Sequence, residues 1–265
     1  MRDEEVLIKP NFNTSDPAPG STHNDTLVTM LDLVAEEGPR SITVADRSGP
    51  AATRKVFEEK GILMLAKARG FSCLLVDELP DEHYEKVRPP GSHWKDGFLF
   101  ARAARQARCV ICLCCLKTHQ YGGHFTMSLK LATGLVHRRN MDELHSSRFQ
   151  REMIAEMNYA YRPSLAIMDG VEAFYSGGPM RGPVWKANLT FASRDRVALD
   201  AVGVAALKLH GTTPEIERKR VFEQDQIKRA LELGLGAREP KEVELVPVDA
   251  ASEGISEKIR SELMA

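Results

Sequence analysis

An uninterrupted run of eight apolar residues at 109–116 limits the folds that this chain of 265 residues can adopt. The run is long enough for a strand, but it is far short of the roughly 20 apolar residues that a membrane-spanning helix requires. A strand that is apolar at every position is typical of parallel sheets in which helices cover both faces. The run therefore predicts the central strand of an α/β protein and argues against a membrane span.

Shorter apolar segments alternate with amphipathic segments along the rest of the chain. The spacing of apolar residues predicts further strands at 6–8, 41–45, 73–76, 164–168, 187–192 and 242–246. It predicts helices at 27–34, 62–68, 124–135, 194–210, 221–233 and 255–264, and an irregular segment at 77–96. This alternation favours a mainly parallel sheet with helices on both faces, in Rossmann-like layering. No linker or repeat divides the sequence, so we expect one domain over 1–265, in which a C-terminal subregion at 208–265 packs back on the core.

The charge balance excludes several classes of partner. The 36 Lys and Arg residues nearly equal the 37 Asp and Glu residues, giving a formal net charge of −1. A broad surface for nucleic acid or for an anionic membrane needs an excess of basic residues, so we expect neither partner. The acidic N-terminus does not resemble a secretory signal, and five cysteines form no even-numbered disulfide framework. Both observations favour the reducing cytoplasm.

Four of the five cysteines, Cys109, Cys112, Cys114 and Cys115, fall within the apolar run and invite comparison with a metal or iron–sulfur site. Side chains alternate along a strand, so Cys112 and Cys114 share one face while Cys109 and Cys115 share the other. The last two would lie about 20 Å apart at roughly 3.3 Å per residue, too far for one centre. We therefore expect small side chains that pack in the core, and no intrinsic iron–sulfur cluster. Redox-active thiols, and a metal bound by Cys114 or Cys115 with a nearby histidine, stay as alternatives.

Polar side chains follow four of the predicted strands at the point where each strand ends. In parallel α/β sheets, ligands bind beyond the carboxyl ends of the strands. Loops are polar in general, so one such end would carry little meaning, but four together indicate a shared site. The four ends are Lys9-Pro10-Asn11, Asp46-Arg47-Ser48-Gly49, Lys117-Thr118-His119 and Asp169-Gly170.

His119 is the first candidate for chemistry at this edge, because it follows the buried strand closely and neighbours Lys117. An imidazole beside a lysine and a carboxylate can transfer protons, with Lys117 and Asp169 as the other catalytic candidates. It can also bind a divalent metal together with Asp46 or Asp169. A histidine that only satisfies a loop carbonyl is the structural alternative.

Four further residues extend the prediction. Lys130 borders the apolar face of the segment 124–135 and can bind phosphate or carboxylate, although an exposed lysine is the simpler interpretation. Gly177 and Gly178 lie in a glycine-rich loop whose amides can hold an anion, or which is a plain turn. Asp200 is surrounded by apolar residues in a predicted helix. A buried carboxylate needs a partner, for which the three lysines named above are candidates.

Six segments occur in one order that is specific as a set. They are Val6-Leu7-Ile8-Lys9-Pro10-Asn11, Asp46-Arg47-Ser48-Gly49, Leu116-Lys117-Thr118-His119, Thr126-Met127-Ser128-Leu129-Lys130, Met168-Asp169-Gly170 and the stretch 192–203. Over about residues 5–236 the chain thereby resembles the DUF362 family, whose members are often fused to ferredoxin-type iron–sulfur domains. The sequence departs from the family pattern in two places: Cys114-Cys115 replace a Pro-Lys pair, and Leu131 replaces an Asn. The family's motif positions correspond here to Lys9, Asn11, Asp46, Ser48, Lys117, Thr118, His119, Lys130, Asp169, Asp195 and Asp200.

The resemblance implies redox-linked metabolism, with any ferredoxin-like electron-transfer partner as a separate protein. A looser similarity in layout and in its lysines and histidine links the chain to nickel-dependent lactate racemases. We therefore expect an enzyme that binds a small anionic ligand or cofactor at the strand ends, with a divalent metal as one candidate. The alternative is a non-catalytic accessory protein that partners a ferredoxin-like component. The predicted ligand contacts are Lys9, Asn11, Asp46, Ser48, Gly49, Thr118, Lys130, Gly177 and Gly178.

Overall fold

The computed structural model describes residues 2–265 and contains one large sheet of seven strands. The strands of the protein are, in chain order, β1 (Glu5–Lys9), β2 (Ser41–Asp46), β3 (Ser72–Leu75), β4 (Tyr84–Val87), β5 (Phe98–Ala101), β6 (Cys109–His119), β7 (His124–Phe125), β8 (Leu165–Phe174) and β9 (Val184–Ser193). The order across the large sheet is β3-β2-β1-β6-β8-β9, and β7 pairs with the end of β6. The first five of these are parallel to one another, whereas β9 returns antiparallel to β8. The predicted mainly parallel α/β fold is confirmed.

Helices cover both faces of the large sheet, and each face has its own hydrophobic core. The helices are α1 (Asn24–Glu36), α2 (Thr53–Glu59), α3 (Ile62–Arg69), α4 (Arg102–Gln106), α5 (Met141–Ser146), α6 (Gln150–Met157), α7 (Arg196–His210), α8 (Pro214–Glu217), α9 (Asp225–Glu232) and α10 (Ala250–Met264). The smaller core lies under α1, α2 and α3, which bury residues such as Leu27 and Phe57. The larger core lies under α5, α6, α7, α9 and a 3₁₀ turn at Leu129–Leu135. Helix α10 packs on α7 at this face through Ile259 and Leu263.

Strand β6 is central in the sheet, and all 11 of its residues are buried. An apolar sequence is required there because cores lie on both sides: Cys112 and Cys114 face the larger core, and Cys109 faces the smaller one. All five cysteines are free thiols, and the four in β6 are buried. The predicted packing role of these cysteines agrees with that arrangement. Within residues 2–265, no helix combines the length and the apolar character that crossing a membrane would require.

Three predictions of secondary structure were wrong. Residues 242–246 form no strand, because Val243 and Leu245 pack against the core without pairing to a neighbouring strand. The segment 77–96 is not irregular throughout, since it contains β4, which pairs antiparallel with β5. The segment 124–135 forms the short strand β7 and a 3₁₀ turn instead of one α-helix.

Candidate functional site

A pocket of about 700 Å³ opens where β1, β2 and β6 end, beside the turn Leu129–Leu135. Lys9, Asp46 and His119 are the last residues of these three strands, so the parallel sheet delivers all three side chains to one edge. Half of the 12 site residues predicted from the sequence line this pocket: Lys9, Asn11, Asp46, Gly49, His119 and Lys130.

Lys9 and Asp46 form a buried ion pair at the base of the pocket. The Lys9 Nζ atom lies 2.7 Å from Asp46 Oδ1 and also donates to the carbonyl of Pro10 at 2.6 Å. The backbone amides of Phe12 and Arg47 donate to the same carboxylate. Burial raises the pKa of Asp46, and the Lys9 charge together with these hydrogen bonds opposes the rise. All of these donors hold the carboxylate in one orientation.

Gly134 allows the turn to lie directly against this ion pair. A Cβ atom at Gly134 would come within 2.7 Å of Lys9 Nζ, and closer still to Asp46 Oδ1. Real Cβ atoms do not approach other atoms this closely, so any side chain at this position would displace the pair or the turn. The glycine therefore determines how closely the turn that carries Lys130 packs on the strand ends.

Arg47 is a buried cation of the pocket that the sequence reasoning missed. Its side chain is held by backbone carbonyls: Nε donates to Val136 at 3.0 Å, and Nη2 donates to Thr133 at 2.9 Å. Burial lowers the pKa of Arg47, and the nearby Asp46 charge partly opposes this. The sequence could have identified Arg47 as a pocket residue through its position between Asp46 and Ser48, because ligands bind at such strand ends.

Lys130 is buried in the pocket wall, with only 9% of its surface exposed. Within residues 2–265 its ammonium group has no hydrogen-bond acceptor and no carboxylate at ion-pair distance. Burial, reinforced by the charges of Arg47 and Lys117, lowers the pKa of Lys130 to about 8. The simple expectation of an exposed lysine was therefore wrong.

Asp200 fixes the start of the turn that carries Lys130. Its carboxylate accepts hydrogen bonds from the amides of Ser128 at 2.8 Å and Leu129 at 3.1 Å. Burial raises the pKa of Asp200 to about 7, although these two hydrogen bonds oppose the rise. The prediction that a lysine pairs with Asp200 was wrong. Its partners are backbone amides at the start of this 3₁₀ turn, which are free to donate to a side chain, whereas inside an α-helix they would donate to carbonyls of the same helix.

His119 lines the pocket as a nearly buried imidazole that is 6% exposed. Burial lowers the pKa of His119 to about 2, and the charges of Lys130 and Lys117 add to this effect. Its Nδ1 atom has no hydrogen-bond partner within the described chain and lies against Gly123. The side chain is therefore neutral at physiological pH and can donate or accept a hydrogen bond through its other nitrogen.

Lys117 and Thr118 do not line the pocket. Lys117 is fully buried and donates to the carbonyl of Gly20 at 2.6 Å, and burial lowers its pKa. Thr118 donates to the carbonyl of Gly177 at 3.1 Å. The amide of Gly178 is used within the loop, donating to Arg181, so the loop reaches the pocket only through Pro179 and Met180.

Asp169 and Ser48 also lie outside the pocket. Asp169 follows Met168, which faces the larger core, and therefore points to the other face of the sheet. There its Oδ2 atom accepts a hydrogen bond of 2.8 Å from Thr26 in α1. Ser48 is fully buried and donates to the carbonyl of Phe12 at 2.7 Å, which anchors the loop after β1.

Of the three residues predicted as metal ligands, only His119 and Asp46 line the pocket. Asp169 does not line the pocket and accepts a hydrogen bond from Thr26, while both oxygens of Asp46 already accept hydrogen bonds from Lys9, Phe12 and Arg47. No group of three or more His, Cys, Asp or Glu side chains in the part of the chain that the structure describes is arranged to hold a metal ion. The charged side chains that line the pocket are instead mainly cations.

Comparison with known proteins identifies the family to which this chain belongs. The family model DUF362, a domain of unknown function, matches residues 6–205. The chain belongs to the DUF362 family. Every residue that lines the pocket lies inside the part that defines it as a DUF362 protein.

Two individual proteins are similar to this DUF362 chain over part of their length. The thylakoid-associated protein sll1697 of Synechocystis sp. is 30% identical over 219 residues, which are 79% of this chain and 65% of that protein. The lactate racemase apoprotein from Thermoanaerobacterium thermosaccharolyticum is a solved structure that matches 74% of this chain and 47% of that chain. Its sequence identity is 13% and its TM-score is 0.48. The DUF362 chain thus spans only part of the length of both proteins.

Proposed function

We propose that this protein is an enzyme that binds a small anionic ligand or cofactor, a carboxylate or phosphate compound, in the pocket at the strand ends. One observation carries the proposal. Arg47 and Lys130 are both buried in the pocket wall, and neither has a carboxylate at ion-pair distance within residues 2–265. Burying a charge without a counterion is costly, and an anionic ligand would supply the counterion.

The other charges of the pocket do not supply that counterion. The Asp46 carboxylate is paired with Lys9 at 2.7 Å, and Arg138 is paired with Asp77 at 3.0 Å. Arg47 and Lys130 are thus left as the unbalanced charges, and they have the same sign. A concave site with one sign of charge raises the local concentration of ions of the opposite sign. The pocket therefore attracts anions although the whole chain has a net charge of only −1.

His119 gives the pocket a group for proton transfer. A cationic neighbour disfavours the imidazolium form, which is part of the reason that the pKa of His119 is about 2. Burial is the larger cause of the low pKa, and a bound anion beside Lys130 would offset only the smaller contribution of that charge, raising the pKa of His119. Ligand binding would thereby make His119 a stronger base than it is in the empty pocket.

The predicted redox chemistry, partner and cellular location do not follow from the pocket. Redox-linked chemistry and a separate ferredoxin-like partner follow from the family resemblance alone and stay predictions. The five free cysteines are compatible with the reducing cytoplasm in which we expect the protein to act.

Thermal unfolding with a panel of anions tests the proposal. Inorganic phosphate and succinate should each raise the melting temperature in a concentration-dependent way, because a ligand that binds only the folded state stabilises it. Sodium chloride at the same ionic strength is the control for general salt effects. If neither anion raises the melting temperature beyond the chloride control, the pocket is not an anion site and the proposal fails.

A further inference from the structure

Three lysines are buried at this edge of the sheet, and their surroundings differ in one respect. Lys9 is held by the Asp46 carboxylate at 2.7 Å, and Lys117 donates to the carbonyl of Gly20 at 2.6 Å. Lys130 alone among them lines the pocket without an acceptor in residues 2–265. Its amine is therefore the nucleophile that a bound molecule can reach.

The surroundings of Lys130 also favour the neutral amine, which is the form that reacts with a carbonyl group. A lysine exposed to water has a pKa of about 10.4, so less than about 1% of it is neutral at pH 8. Burial and the charges of Arg47 and Lys117 lower the pKa of Lys130 to about 8, so about half of it is neutral at that pH. A lysine desolvated next to other cations is a recognised form of activated nucleophile.

We propose that Lys130 forms an imine with the carbonyl carbon of an anionic carbonyl compound bound in this pocket, such as a 2-oxo acid. This inference rests on the proposed anion site and names the substrate class. The carboxylate of the substrate would be attracted by Arg47, whose side chain is fixed by the carbonyls of Thr133 and Val136. The hydrogen bonds from Ser128 and Leu129 to Asp200 hold the backbone next to the nucleophile.

The chemical step balances without an oxidant or reductant. The lone pair of the neutral Lys130 nitrogen attacks the carbonyl carbon, and the electrons of the carbonyl double bond move to oxygen. Transfer of the two amine protons to that oxygen releases it as water and leaves a carbon–nitrogen double bond. The imine nitrogen can then be protonated and withdraw electrons from the neighbouring carbon, which assists proton removal or carbon–carbon bond cleavage at that position.

Trapping with glyoxylate and sodium cyanoborohydride tests this step. The reductant converts an imine between Lys130 and glyoxylate into a stable carboxymethyl group, which peptide mapping by mass spectrometry locates. At pH 8 we expect Lys130 to be modified at least about tenfold faster than Lys67, an exposed lysine of α3, because far more of it is neutral. Lys9 lines the same pocket but is paired, so it should stay unmodified.

Three controls separate this inference from the anion site on which it rests. Glycolate, which has an alcohol in place of the aldehyde, should slow labelling of Lys130 by competition without labelling it. Glycolaldehyde, which lacks the charge, should show a smaller preference for Lys130 over Lys67 than glyoxylate does, because only the contribution of the anion site is lost. The Lys130→Arg variant keeps the charge and should lose only the modification at this residue.

Labelling of Lys130 at the same rate as Lys67, or no labelling of it, overturns the imine. If phosphate and succinate still stabilise the protein in that case, the anion site stands without it. If they do not, both fail.

Discussion

Asp46 is ion-paired with Lys9 at 2.7 Å, and because Asp46 contributes the carboxylate of the pocket, this buried pair leaves Arg47 and Lys130 without a counterion within residues 2–265. Each strand end contributes one partner, so the pair also joins β1 to β2. The charge of the pocket therefore depends on which of its cations is already neutralised.

Replacing Asp46 by Asn should destabilise the protein strongly. The substitution leaves the Lys9 charge buried and unpaired, and breaking a buried pair in this way typically costs about 3–5 kcal/mol. Urea denaturation measures the free energy of unfolding. The double variant Lys9→Met/Asp46→Asn is the control and should recover much of the loss, because it contains no unpaired charge. Equal losses in the single and double variants would show that the ion pair is not the cause.

Replacing Lys130 by Met should stabilise the ligand-free protein, by about 3 kcal/mol at neutral pH. The folded state lowers the pKa of Lys130 from 10.5 to about 8, so folding penalises the charged form at any pH below about 8. This penalty is relieved as the pH rises from 8 towards 10.5, so the advantage of the variant should shrink over that range. Thermal unfolding of both proteins at several pH values measures it. A variant less stable than the native protein at pH 7 would contradict the account.

Asp200 should make stability fall as the pH rises from about 4 to about 7. Its pKa is raised from 3.8 to about 7, so the folded state binds more protons than the unfolded state between these values. Asp200→Asn removes the titrating group. The difference in unfolding free energy between native protein and variant should therefore decrease through this window and level off above it. A difference that does not change with pH would mean that Asp200 has an ordinary pKa.

His119 should remain neutral between pH 5 and 8 in the ligand-free protein, because its pKa is lowered to about 2. Nuclear magnetic resonance of the imidazole nitrogens reports its protonation, and the spectrum of His119→Gln assigns the signals. Added phosphate should raise the pKa of His119, since the anion offsets the Lys130 charge. Titration of His119 near its ordinary value of 6.5 without any anion would contradict the structure.

The sequence was sufficient to predict the parts of the site that depend on strand order. A strand apolar at every position implied a parallel sheet with two covered faces, and parallel strands end at the same edge. Lys9, Asp46 and His119 end three adjacent strands and therefore meet in the pocket.

Other parts of the site could not be predicted from the sequence, because they depend on which partner a side chain contacts in the folded chain. Asp169 was predicted at a strand end like the other site residues, but its carboxylate accepts a hydrogen bond from Thr26 in α1 and does not line the pocket. The partners of Asp200 are backbone amides, which every residue possesses and no sequence pattern reveals. Arg47 became significant only once the structure showed that Asp46 pairs with Lys9 and not with it.

The central claim is that the unbalanced cations of the pocket bind an anion, and calorimetric titration with phosphate and with succinate tests it most directly. The native protein and the Lys67→Met control, in which an exposed lysine of α3 is removed, should bind with the same affinity. Lys130→Met should bind at least about tenfold more weakly, since a charged hydrogen bond in a desolvated site contributes about 1.5–3 kcal/mol. Equal affinities in all three proteins, or no binding by the native protein, would contradict the account.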